Sequence, residues 1–199
     1  MTIQTRRDKE KVEMRQLILD VSKAIASEDG WQNLTIRKIC QKISYTAPVI
    51  YQYFESKEAI LLALQEDGFN QIKQQFELVD EQHKIASKRL FEYAMVWWNF
   101  TKANPELYQV MFSLQGVVCN QNGCQRLEEI LEIYKLAFSS LNDGALKSKQ
   151  TNLEFCDNYI AIIHGYIDIK LIDKIKSKDR YNDQSYKNAL MRFIDSIKN

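Results

Sequence analysis

The sequence predicts an all-helical protein of about nine helices, on three observations. Its 199 residues include 6 glycines and 2 prolines, about a third of the usual share of these breakers. Turns that need positive φ are therefore scarce, which argues against a sandwich or barrel with many tight turns. Apolar residues recur at three- and four-residue steps along most of the chain, and no useful run alternates with the period of two of a half-buried strand. Hydrophobic residues make up 45% of the chain and charged residues 27%, so a core can be buried at this length. No stretch approaches the ~18 apolar residues of a membrane-spanning helix, so no membrane partner is expected. The first residues are charged and lack an apolar leader, which makes the cytoplasm the expected compartment.

Residues 9–28 read as the first helix, with Val12, Leu17, Val21, Ala24 and Ile25 as apolar positions and Gly30 placed for a left-handed cap. Thr35 is a good N-cap for a second helix from Ile36 to Ile43, in which Ile36, Ile39, Cys40 and Ile43 share a face. Ser44-Tyr45-Thr46 is a short polar turn. Thr46 opens a third helix that runs to about Tyr53, with Pro48 in the first turn, where a missing N–H costs nothing. Ser56 caps a long fourth helix, Lys57 to about Gln82, with apolar Ile60, Leu61, Leu64, Phe69, Ile72 and Phe76. Helical periodicity then covers 85–103, 107–114, 126–141, 153–175 and 184–197, with a fresh start at Asn104-Pro105, a loop over 116–123 and a turn at 142–144.

The near-zero net charge of +1 is a cancellation. Residues 1–57 hold ten Lys/Arg against seven Asp/Glu, and residues 58–199 hold seventeen against nineteen. The four cysteines, Cys40, Cys119, Cys124 and Cys156, lack metal-ligand spacing and read as small packed hydrophobes. No metal or cofactor is expected. The chain also lacks a Gly-rich phosphate loop and a nucleophile–base motif, and neither His83 nor His164 has a sequence-near partner. It therefore does not read as an enzyme.

The stretch from Thr35 to Glu58 carries the chemistry. Two short helices joined by a polar turn bury little surface alone and need a third helix to pack against, here residues 9–28. That is a helix-turn-helix, whose second helix can enter a major groove. Ile39, Ile43, Ile50 and Phe54 would hold the three helices together. Tyr45, Thr46, Ala47, Pro48, Val49 and Gln52 point outward; they are small or uncharged and can approach base edges and thymine methyls, and Gln52 can pair with adenine. Tyr51 and Tyr53 offer phenolic donors to phosphate. The helix starts at Thr35 and Lys57 offer backbone N–H groups to an anion, with a charge added at Lys57. Arg6, Arg7, Lys9 and Lys11 form a basic arm able to reach DNA backbone or minor groove. Arg37, Lys38 and Lys42 read as a solvated face.

Thr35-Ile36-Arg37-Lys38-Ile39, followed by the run from Ala47 through Tyr51-Gln52-Tyr53-Phe54-Glu55-Ser56-Lys57-Glu58 to Leu61, resembles the DNA-binding domain of TetR-type bacterial transcriptional regulators. The similarity covers residues 9–62 well. The segment Asn104 to Phe112 with His164-Gly165 is similar to one subgroup of the family's C-terminal domains. The resemblance implies a homodimer that represses transcription at an operator, a palindromic double-stranded DNA site, until a small molecule enters the C-terminal domain. It also implies phosphate contacts at Thr35, Tyr51, Tyr53 and Lys57. Ser44 departs from the family, which has Gly in this turn, and Ala47-Pro48 stands where Lys-Gly or Ser-Gly is frequent.

The expected domains are 1–57, which binds DNA, and 58–199, a helical ligand-binding and dimerisation domain. The second holds 17 of the 22 aromatic residues. Trp97, Trp98, Tyr108, Met111, Phe112, Tyr134, Phe155, Tyr159 and His164 lie at helical spacing. They are candidates to line a pocket for an apolar or aromatic effector, although ordinary core is the more common place for such residues. Gly165 inside a helix costs about 1 kcal/mol relative to alanine, which close helix–helix approach would offset. Ile160, Ile163, Ile167, Leu171, Leu190, Phe193 and Ile197 are candidates for a four-helix seam with a second copy. The leading expectation is a ligand-responsive DNA-binding repressor. The alternatives are a helical adaptor or a small-molecule-binding protein that does not touch DNA. The residues themselves do not separate repression from activation.

Overall fold

A computed structural model describes residues 3–112, 121–141, 149–171 and 181–197. Among these residues there are nine α-helices and no strands. They are α1 (Ile3–Asp29), α2 (Ile36–Ile43), α3 (Ala47–Tyr51), α4 (Lys57–Gln82), α5 (Ala86–Ala103), α6 (Pro105–Phe112), α7 (Gln121–Leu141), α8 (Lys149–Leu171) and α9 (Asp183–Ile197). The expected bounds of α2 and α4 hold because their caps form. Thr35 Oγ1 accepts from the Lys38 N–H at 3.2 Å, and Ser56 Oγ accepts from the Ala59 N–H at 3.2 Å. Helix α3 ends at Tyr51, two residues early. Helix α7 begins at Gln121, inside the expected loop. The turn at 142–144, Cys119 and the residues from 172 to 180 lie outside the described residues.

The chain divides into two compact units that differ from the expected domains 1–57 and 58–199. The first is 1–68 with 106–123; the second is 69–105 with 124–199. Helix α6 therefore belongs to the unit that holds α1–α3, although it follows α5 in sequence.

In the first unit the buried side of α1 is Ile18, Leu19, Ser22, Ile25 and Ala26. This corrects the expected apolar stripe, because Val12 is 68% exposed, Leu17 is exposed and Ala24 is exposed. Ser22 hides the true face from a hydrophobicity reading. Its hydroxyl is satisfied within the helix by donating to the Ile18 carbonyl at 2.7 Å, so it can be buried without penalty. Ile39, Ile50 and Phe54 close the core against α1 as expected, and Ile43 is half-buried.

A 3₁₀ turn, Trp31–Asn33, joins α1 to α2. Gly30 precedes it with positive φ (82°) but an extended ψ (156°), a region open essentially to glycine alone, rather than the left-handed cap. Trp31 is 3% exposed. Its indole Nε1 donates to the Glu106 carbonyl in the first turn of α6 at 3.1 Å, and its own carbonyl accepts from Lys57 Nζ at 3.2 Å. The other end of α6 is held by buried Gln65, whose Nε2 donates to the Met111 carbonyl at 3.3 Å. Gly68 lets Met111 approach so closely that an added Cβ would stand 2.4 Å from its Sδ.

Ser44 is left-handed (φ 58°, ψ 38°) and ends α2. An L side chain at this backbone costs roughly 1–2 kcal/mol. Ser44→Gly should therefore raise stability by about 0.5–1 kcal/mol after the extra freedom glycine gives the unfolded chain. A chemical denaturation curve with unchanged slope checks it.

The second unit packs aromatic rings from α4, α5, α7, α8 and α9. Phe76 stacks on Tyr93 at 4.4 Å, and Tyr134 meets Tyr159 edge-on at 5.3 Å. The polar tips are satisfied inside: Tyr159 donates to the Leu90 carbonyl, Tyr186 to the Ala94 carbonyl at 2.8 Å, and Tyr93 to the Asp80 carboxylate. Burial pushes the Tyr134, Tyr159 and Tyr186 hydroxyls far above their ordinary range, so they remain neutral. Cys156 is buried with its thiol pushed up to about 11, chiefly by burial, and Cys40 is half-buried; both are free thiols.

Candidate nucleic-acid interface

Helix α3 is five residues long and anchored from below. Ile50 is fully buried, Phe54 almost so, and Ala47 and Val49 are half-buried at its sides. Tyr45, Thr46, Pro48, Tyr51 and Gln52 are exposed on its outer face, Tyr51 at 53%. Thr46 starts the helix through its backbone; its hydroxyl makes no cap bond. Among the described residues, Tyr45, Thr46, Tyr51 and Gln52 make no internal side-chain hydrogen bond. The face thus offers two phenols, a hydroxyl and a carboxamide to an outside partner, around a rigid apolar anchor. Those are groups that reach base edges and phosphates.

The other expected contact residues are partly engaged within the chain. Thr35 is exposed but uses its hydroxyl on the Lys38 N–H, so the anion site there is the free amides of the first turn. Lys57 is half-buried and gives one of its three N–H bonds to Trp31. Tyr53 is half-buried, and its carbonyl accepts from Arg15 Nη1 at 3.0 Å. Lys38 pairs with Asp29 at 2.7 Å and Lys42 with Glu28 at 2.7 Å. These lysines tie α2 to the end of α1, in line with the solvated face expected of them, and the hydrogen bond from Lys38 holds the Asp29 carboxyl below its usual range. The basic arm is not an arm. Arg6, Arg7, Lys9 and Lys11 lie on α1, where Arg6 pairs with Glu10 at 2.8 Å and Lys9 with Glu13 at 3.6 Å.

Two residues that organise this interface were not singled out from sequence. Trp31 sits in a stretch that reads as a loop, and its one signal was a large aromatic between Gly30 and a capping Thr. Arg15 looked like one more surface charge, yet its guanidinium lies 4.1 Å over the Phe54 ring.

The candidate effector residues separate between the units. Tyr108 and Met111 are buried and Phe112 exposed in the first. In the second, Trp97, Trp98, Tyr134 and Tyr159 are buried, and Phe155 and His164 half-buried. Trp97 Nε1 donates to Tyr134 Oη at 2.6 Å, and the Trp97 and His164 rings meet edge-on at 5.3 Å. These side chains are packed on one another as core. Trp98 stacks on Tyr186 at 4.4 Å and borders a cavity of about 220 Å³ with Thr101, Lys102, Pro105, Ile167, Lys170 and Leu171. The candidate seam residues also divide. Ile163, Ile167, Leu190 and Ile197 are at most 1% exposed, so their surface is already covered by the chain itself. Ile160, Leu171 and Phe193 are half-buried.

Burial lowers the His164 pKa to about 4. The unfolded value is near 6.5, so the folded state resists protonation and stability falls as pH drops through the window between the two. From pH 7 to pH 5 the loss should be about 1–2 kcal/mol. His164→Gln should flatten that part of the stability–pH curve, as followed by denaturant melts.

Comparison with known proteins adds to this geometry. Residues 18–64 match the family described as "Bacterial regulatory proteins, tetR family". No curated protein matches the chain. Among solved structures it is similar to the transcriptional regulator FadR from Bacillus subtilis in complex with stearoyl-CoA, at TM-score 0.71 and 17% identity, over 92% of this chain and 96% of that one. It is similar to a transcriptional regulator of the TetR/AcrR family from Thermobifida fusca YX-ER1, at TM-score 0.68 and 15% identity, over 94% and 97%. A protein of unknown function from Rhodococcus sp. RHA1 matches at TM-score 0.71 and 17% identity, over 93% and 95%. At these identities the likeness is one of fold. The matched segment runs from the first buried turn of α1 into α4 and contains all of the exposed α3 face, and over these residues the chain resembles the TetR-type bacterial transcriptional regulators.

Proposed function

We propose that the protein is a repressor that binds a palindromic operator as a homodimer and leaves it when a small apolar molecule binds. The observation that carries the DNA reading is the α3 face, whose polar tips are unused within the chain while its apolar side is locked in the core. A five-residue helix reads few base pairs, so two copies across a two-fold axis are needed for a specific site.

Gly165 supports the dimer. It lies exposed in α8, and a Cβ added to it would have nothing within 4 Å. Its helix cost therefore has no compensation among the described residues, and a second copy approaching here would supply it. Around it Asn158, Ala161, Ile162, Tyr166, Ile169, Tyr181 and Phe193 line an open, largely apolar hollow. The seam so proposed uses the side of α8 away from Ile163 and Ile167. The effector reading draws on the stearoyl-CoA bound by the Bacillus subtilis neighbour and on the cavity beside Trp98. Release requires the effector to favour the conformation that does not fit DNA, by roughly 1–3 kcal/mol.

The test is a reporter driven by the promoter beside the gene, with anisotropy of the purified protein on the same DNA. Deleting the gene should raise reporter output, and stearoyl-CoA, as the first probe, should weaken binding. A fall in output on deletion would turn the repressor into an activator.

A further inference from the structure

The N-terminal half of α1 stands clear of the core. Ile18 is its first buried residue, and every residue from Arg6 to Leu17 is exposed except half-buried Met14. About three turns of helix without a buried face are marginal in water, and the charges on them are arranged unevenly. Arg6 and Lys9 are neutralised by Glu10 and Glu13 one turn on. Arg7 and Lys11 form no ion pair among the described residues, nor does Asp8 between them. Arg7, Lys11 and Arg15 are spaced by four, so they run down one side of the helix.

Arg15 fixes where that side leads. Its guanidinium covers the Phe54 ring at 4.1 Å and donates to the Tyr53 carbonyl at 3.0 Å. Tyr53 and Phe54 follow α3 after its capping residue Gln52. The stripe therefore starts at the C-terminal corner of the DNA-reading helix and extends about 12 Å along α1, at ~1.5 Å per residue. Arg7 and Lys11 are roughly 6 Å apart along the helix axis, so each can reach a separate phosphate.

We propose that Arg7 and Lys11 lie on phosphates of the duplex just outside each half-site, and that Arg15 is a positioning residue that sets α1 and α3 at the angle this requires. The proposal rests on the DNA-binding reading. It goes further in assigning α1 a second contact, to flanking DNA of any sequence, made by its unpaired cations and not by the paired ones beside them.

The chain carries its own control. The full-length protein is titrated by anisotropy against its operator within a longer duplex, and against a duplex trimmed to the half-sites, across a salt series. Arg7→Gln/Lys11→Gln removes two cations from each of two chains and should make the slope of log K against log salt shallower by about 3.6. It should weaken binding about 1,000-fold at 0.15 M salt, with the curves converging near 1 M. Arg6→Gln/Lys9→Gln should change affinity less than about threefold. Trimming the flanks should reproduce the Arg7/Lys11 effect and abolish the difference between variant and parent. Arg15→Lys, which keeps the charge and is folded by circular dichroism, should make the slope shallower on the longer duplex and leave it unchanged on the trimmed one. If the parent binds with a steep slope that Arg7→Gln/Lys11→Gln leaves intact, or if the two double variants behave alike, the stripe is not a DNA contact. If the parent binds no DNA at any salt, the functional reading itself fails.

Discussion

Trp31→Ala should destabilise the protein by about 3–5 kcal/mol, the range for truncating a buried indole. Against a total stability of roughly 5–15 kcal/mol, that is enough to unfold a marginal domain at 37 °C. The ring is almost fully buried at the junction of α1, α2, α4 and α6. Removing it leaves a cavity and takes from the Glu106 carbonyl the bond it accepts from the indole. Trp31→Phe keeps much of the volume and loses only the N–H donor, so about 1–2 kcal/mol is expected. Chemical denaturation followed by far-ultraviolet circular dichroism separates the two. A loss under 1 kcal/mol for the alanine variant would show that this turn is not a structural hub.

Gly165→Leu should convert the dimer to a monomer at micromolar concentration and weaken operator binding by 100-fold or more, because each copy then holds DNA by one half-site. The informative partner is Gly165→Ala. Nothing among the described residues obstructs the added methyl, so α8 alone should gain up to about 1 kcal/mol in helix propensity. Monomer stability should rise while dimer affinity falls. Sedimentation with thermal melts reads both signs. A leucine variant that remains dimeric would remove Gly165 from the seam.

The fold was legible where local chemistry dictates it. Thr35 and Ser56 announce α2 and α4 because a hydroxyl before a helix satisfies an amide that otherwise lacks a partner. The α3 face was legible because Ile50 and Phe54 alternate with residues that have no reason to be buried. Three features were not. The buried face of α1 was obscured by Ser22, polar in type but satisfied within its own helix. The stacked aromatics of α5, α7 and α8 read more readily as core but also as pocket, since periodicity reports which residues face inward and not whether space is left between them. Trp31 and Gln65 act through carbonyls 75 and 46 residues away, and no local pattern encodes such a partner. The charge reading was sharpened in kind. Of the cations expected to form an arm, Arg6 and Lys9 are answered by carboxylates one turn on, a spacing visible in sequence once the segment is known to be helical.

The central claim is that α3 reads DNA from a two-fold pair of chains. A nuclease footprint of the purified protein on the DNA flanking its own gene tests it most directly. The account predicts one protected region containing inverted half-sites about one helical turn apart, or a multiple of it. That region should be lost in Tyr51→Ala, which leaves the core untouched because the side chain is exposed. Uniform protection without a defined site, or a footprint that Tyr51→Ala leaves unchanged, would contradict it.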